Sequence, residues 1–126
     1  MISERQHSEM PKVLKRALER AAQGENVLIC TRTRHRLDLF MMHRVRPLLS
    51  SLRAEIQVSG TIYRVQIPEA GTIYFRSLSR ASDVEKLLGT RFTFIGMIQS
   101  LNTQTWHHLL ERGMADGAEI MEEHEG

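Results

Sequence analysis

A chain of 126 residues, 41% hydrophobic and 25% charged with a net charge of +2, has the size and composition of one globular domain. It holds no run near the roughly 18 apolar residues needed to span a bilayer. Its start, Met1-Ile2-Ser3-Glu4-Arg5-Gln6-His7, lacks the apolar centre of a signal peptide, so a cytoplasmic location without membrane contact is expected. The single cysteine, Cys30, excludes an internal disulfide framework.

Residues 1–10 read as an N-terminal arm. Val13, Leu14, Ala17, Leu18 and Ala21 then recur at helical spacing, with Lys12, Lys15, Arg16, Glu19 and Arg20 opposite. Pro11 suits a first turn and Gly24 a left-handed stop. Asn26 to Thr31 is apolar almost throughout, the habit of a strand covered on both faces in a parallel sheet. Thr33 can cap a second helix from Arg34 whose stripe is Leu37, Phe40, Met41, Val45 and Leu48, and Pro47 should kink or end it near Arg46.

Farther on, Glu55–Val58 and Thr61–Ile67 alternate, and the turn Pro68-Glu69-Ala70-Gly71 leads into Thr72–Phe75, which predicts an antiparallel hairpin. Ser82-Asp83-Val84-Glu85 reads as a capping box opening a short helix that Gly89 closes. Residues 91–98 form another apolar strand. Asn102 caps a last helix carrying Trp106, Leu109 and Leu110, stopped by Gly113. Residues 114–126 are acidic and read as a disordered tail. The expected architecture is a single α/β domain over 11–113. It is a three-layer sandwich on a mostly parallel sheet, with the hairpin at one edge.

Charge is unevenly placed. Between Thr31 and Arg64 stand seven arginines against Asp38 and Glu55, whereas from Glu111 onward six acids face Arg112 alone. Such asymmetry fits a basic face that meets phosphates or an acidic partner, and it equally fits a solvated helix face beside a frayed end. Ligands of layered α/β sheets gather at the carboxyl ends of the strands, which is where "CTRTRHR" falls. Cys30 reads as a buried, inert thiol. His107, His108 and His124 lack the spacing of a metal site, and no G-x-S-x-G elbow is present. No metal or cofactor is therefore expected. Tyr63 and Tyr74 could stack on bases or pack on the sheet.

The order of these elements resembles the core of RecA-like ATPases, among them helicases and the large terminase subunits of tailed phages. The helix followed by "GENVLICTRT" resembles the stretch after their phosphate loop. "GTIYFRSLSRASDVEKLLGTRFTFIG" is similar to the terminase pattern, in which a G-x-I-x-F-R strand precedes a short helix, a glycine and the strand that carries an acidic metal-binding pair. "TWHHLLERG" resembles the helix after that pair. The resemblance covers residues 11 to 113.

Two departures qualify it. No glycine is followed by lysine, so G-x-x-x-x-G-K-[ST] is absent. Where the family places Asp-Glu, this chain has Ile98-Gln99 or Gln99-Ser100, and neither pair can hold magnesium. The resemblance thus implies a catalytically empty relative and no ATP hydrolysis by this chain alone. It also implies that Arg32 and Arg34 lie where the family touches a nucleic-acid backbone. Arg36, His43, Arg44 and Arg46 extend that surface along the helix. Without a sequence-reading motif, binding should be nonspecific. The alternative is a protein–protein module or inhibitor acting on a phage or host ATPase, and a homo-oligomer completing a half-site is a third option.

Overall fold

The computed structural model describes residues 2–87 and 89–123. A short helix, α1 (Glu4–Glu9), occupies what the sequence marks as an arm, and α2 (Lys12–Ala22) follows. Pro11 stands at the N-cap of α2 rather than in its first turn, and Val13, Leu14, Ala17 and Ala21 form its buried face. Strand β1 (Asn26–Thr31) has the predicted bounds and is buried from Val27 onward. Helix α3 (Arg34–Phe40) is capped by the Thr33 side chain, which accepts from the Arg36 N–H.

Beyond α3 the helix widens into a π-turn over Met41–Val45, tightens over Arg46–Leu48, and resumes as α4 (Leu49–Leu52). Pro47 explains the irregularity. Its ring would collide with the carbonyl one turn earlier and it has no N–H to donate, so the ladder shifts and Arg46 N reaches back to Met41 O. Strands β2 (Ile56–Ser59), β3 (Ile62–Gln66) and β4 (Thr72–Ser77) form an antiparallel meander. The short helix α5 (Ala81–Val84), strand β5 (Phe94–Met97), helix α6 (Thr103–Glu111) and strand β6 (Glu119–Glu122) complete the chain.

The sheet order is β2-β3-β4-β1-β5-β6, with β1 parallel to both β4 and β5, and β6 parallel to β5. Period-two alternation sends Val27 and Ile29 into one layer, with α2 and α3, and Leu28 and Cys30 into the other, with Val84 of α5 and Leu109 of α6. Each such fully buried aliphatic side chain contributes about 1.5–3 kcal/mol of transfer free energy. Burial also pushes the Cys30 thiol up to about 12, so it is inert at neutral pH.

Residues 119–122 correct the expectation of a disordered tail, because they pair as a strand and the acids around them find intramolecular partners. Glu119 meets Arg16 at 2.9 Å and Arg20 at 3.2 Å, and the Glu123 carboxylate accepts from the first two N–H groups of α2, Lys12 at 3.2 Å and Val13 at 3.1 Å. That carboxylate satisfies orphan donors and complements the helix dipole. The parallel ladder with β5 does the rest. His124 lies outside the described residues.

On the opposite face, Glu85 joins α5 to α6 by receiving His108 Nε2 at 2.5 Å and Arg112 Nη2 at 2.7 Å. The hydrogen bond from His108, then that from Arg112, holds the Glu85 carboxyl below the ordinary carboxylate value. A depressed folded-state value means stability that is present above the unfolded value and lost as pH falls through the folded one. Urea midpoints of wild type and Glu85→Gln should therefore differ by a constant amount near neutrality and converge on acidification below 4.5. Curves that stay parallel through that range would contradict the assignment.

Candidate nucleic-acid interface

At the carboxyl end of β1 the chain turns sharply, and three strand ends hold the turn. The Thr31 hydroxyl donates to Thr33 O at 2.8 Å. Gln99 Oε1, beyond β5, accepts from Arg32 N at 3.0 Å and Thr33 N at 3.2 Å. Ser79 Oγ, beyond β4, donates to Arg32 O at 2.8 Å, and Asn102 Nδ2 donates to Ser79 O at 2.9 Å. Arg32 itself is exposed, and its Nε donates to Ser100 O at 2.8 Å.

Arg34 takes a different course. Its Nε meets Asp38 Oδ1 at 2.9 Å, one terminal nitrogen donates to Thr61 O at 3.1 Å, and the other to Tyr63 Oη at 2.9 Å. The guanidinium lies 4.9 Å from the Tyr63 ring centre, and Tyr63 donates to the same Asp38 oxygen. Arg34 therefore ties α3 to the hairpin with its charge compensated. The face of Tyr63 is occupied by Arg34, and Tyr74 packs edge-on against Phe92 with ring centres 5.5 Å apart. Both tyrosines are thus turned to internal partners.

Arg36 is half-buried, and His43, Arg44 and Arg46 are exposed along the helical continuation. His43 and Arg44 border a shallow cavity beside Glu9 and Met10 of the N-terminal segment. From Arg34 to Arg46 a helix rises about 18 Å at 1.5 Å per residue. The six sequence-selected residues accordingly do not converge on one point. Arg32 sits at the rim, Arg34 is diverted, and the other four are strung along the outer layer.

At the end of β5, Ile98 is buried in the apolar core, which leaves Gln99-Ser100 as the pair facing the rim. An amide and a hydroxyl carry no charge for a divalent cation, and the Gln99 oxygen already serves two backbone donors.

Two cations escaped the sequence reading. Arg76 of β4 is only 2% exposed, donates to the Thr61 hydroxyl, lies 3.6 Å from Asp83, and has a buried Nε without a partner. Burial lowers its pKa from the ordinary value, Asp83 opposes that, and the nearby Arg34 charge adds to it. Arg80 stands exposed at the head of α5, beside Ser79. An arginine directly after the β-rich run Thr72–Phe75 was the available signal for Arg76, which lies near the end of β4; Arg80 had none beyond its place after a strand.

No family model matches the chain, and no curated protein does. Among solved structures it is similar to the large terminase of a thermophilic bacteriophage. The ADP complex of that terminase gives a TM-score of 0.61 at 13% identity, over 97% of this chain and 31% of that one. A further structure of the same terminase gives 0.63 at 12% identity over the same shares. A different crystal form gives 0.58 at 13% over 81% and 26%. The chain thus spans about a third of the length of these neighbours. At such identities the likeness is one of architecture: a mixed six-stranded sheet with helices on both faces, the RecA-like fold found in phage large terminases.

Proposed function

We propose that this chain is a non-catalytic RecA-like unit of the terminase kind that binds the nucleic-acid backbone nonspecifically, as an accessory to DNA-packaging or helicase machinery. The carrying observation is a basic run whose own acid is already engaged. Asp38 is the only acid between Glu25 and Glu55, and it is held by Arg34 and Tyr63. Within the segment from Arg32 to Arg46, five arginines therefore stand against that one acid, with His43 beside them. The neutral Gln99-Ser100 pair supports the absence of ATP chemistry. A run of about 18 Å faces on the order of ten charges of duplex DNA, at one per 1.7 Å.

Mobility shift with single- and double-stranded DNA at about 50 mM and about 200 mM salt tests this. Wild type should bind at the lower salt and lose much of that affinity at the higher. Arg36→Ala/Arg44→Ala/Arg46→Ala should lower the salt slope by about 2–3, since each phosphate contact contributes roughly 0.9. Binding that the triple substitution leaves unchanged eliminates the surface.

A second reading, a protein–protein module or inhibitor of a phage or host ATPase, is favoured by exposed apolar side chains near the basic run. Met42 is 57% exposed and Val58 59% exposed. Absence of nucleic-acid binding at low salt would favour it.

A further inference from the structure

We infer that Arg80 joins Arg32 in a two-guanidinium clamp on a polyanion backbone at the carboxyl rim of the sheet, a contact that rests on the nucleic-acid reading above. The first reason is compensation. Arg16 and Arg20 meet Glu119, Arg34 meets Asp38, Arg76 meets Asp83 and Arg112 meets Glu85. Among the described residues no carboxylate forms an ion pair with the Arg32 or Arg80 guanidinium.

The second reason is fixation. Ser79 Oγ bonds the Arg32 carbonyl, Asn102 bonds the Ser79 carbonyl, and Asp83 Oδ2 accepts from Ser79 N at 2.9 Å and Arg80 N at 3.2 Å. The backbones bearing the two guanidinium groups are thus locked side by side before any ligand arrives, which reduces the ordering cost of binding. Arg32 donates its Nε to Ser100 O, so its two terminal nitrogens remain for a bidentate phosphate contact.

The same bonds define the ligand class. The main-chain donors that could cradle a lone phosphate here are taken: Arg32 N and Thr33 N by Gln99, Ser79 N and Arg80 N by Asp83. Two solvated guanidinium groups hold a single phosphate weakly, so affinity must accumulate over several linked phosphates. Of the acids at this rim, Asp83 is held by the Ser79 and Arg80 N–H groups and by Arg76, and Glu122 bonds the Ser100 hydroxyl on the β6 side. A strand of nucleic acid therefore passes over the ends of β1 and β4.

Fluorescence anisotropy with a labelled duplex oligonucleotide across a salt series tests the clamp, with the melting temperature of each variant as the folding control. Arg80→Ala should weaken binding about five-fold at low salt and reduce the salt slope by about one, and Arg80→Lys should restore the slope. If wild type binds and Arg36→Ala/Arg46→Ala weakens it while Arg80→Ala matches wild type in affinity and slope, the clamp is wrong and the broader reading stands. If wild type itself fails to bind at low salt, the broader reading falls and the clamp falls with it.

Discussion

Asp83→Ala is expected to remove about 3–5 kcal/mol of folding stability, whereas Arg76→Met should cost far less. The asymmetry follows from what each truncation leaves behind. Without Asp83, Arg76, a residue only 2% exposed, loses the carboxylate 3.6 Å away, and the Ser79 and Arg80 N–H groups lose their common acceptor. A buried, uncompensated cation is the costliest outcome in that set. Replacing Arg76 instead removes the charge that had to be desolvated, and methionine fills a similar volume with an apolar chain. Asp83 is itself partly accessible, so it hydrates once Arg76 is gone. Urea unfolding of both variants, compared at equal m, measures the difference. Equal losses would mean that the pair stabilises as a unit and that desolvation of Arg76 does not govern the outcome.

The second large effect concerns two glycines where backbone and sheet approach closely. A Cβ at Gly96 would lie 2.3 Å from Val13 Cγ1, because α2 packs directly over the middle of β5. A Cβ at Gly71 would lie 1.9 Å from Glu25 O. Gly71 also donates its N–H to Ala21 O at 2.7 Å, which pins the hairpin to the end of α2. Gly96→Ala should cost about 1–3 kcal/mol, and Gly71→Ala at least as much, since backbone yields less readily than a side chain. The discriminating measurement is a double-mutant cycle. In a Val13→Ala background most of the Gly96→Ala penalty should vanish, whereas the Gly71→Ala penalty should be the same in both backgrounds. Simple additivity of Val13→Ala and Gly96→Ala would refute the close-approach explanation.

Much of the architecture was legible because it is written locally. Strand β1 declares itself by an apolar run ending at Thr31, α2 by its stripe, and α6 by Asn102, whose side chain accepts from Thr105 N at 2.8 Å. The failures share a cause, namely partners distant in sequence or geometry set by a single residue. Strand β6 depends on Arg16, Arg20 and the start of α2, which no reading of an acidic segment could supply. The π-turn at Met41–Val45 has no signature of its own in the spacing, although the predicted stripe of Leu37, Phe40, Met41, Val45 and Leu48 is buried and His43, Arg44 and Arg46 are exposed. The capping box was offset: α5 starts at Ala81, and Asp83 rather than Ser82 secures its first turn.

The site divides along the same line. Arg32 was placed at the rim by its position after a strand. Arg34 was diverted by Tyr63 across the hairpin, and Arg80 gained its place only when β4 came to lie beside β1.

Melting temperature with and without ligand tests the central claim most directly, because a ligand bound only by the folded state must raise it. A duplex oligonucleotide at about 50 mM salt should raise the melting temperature of the wild-type chain, that gain should shrink at about 200 mM, and magnesium-ATP should leave it unchanged. A rise with magnesium-ATP, or none with nucleic acid at the lower salt, would contradict the proposed reading of a non-catalytic unit that binds nucleic acid through a basic surface.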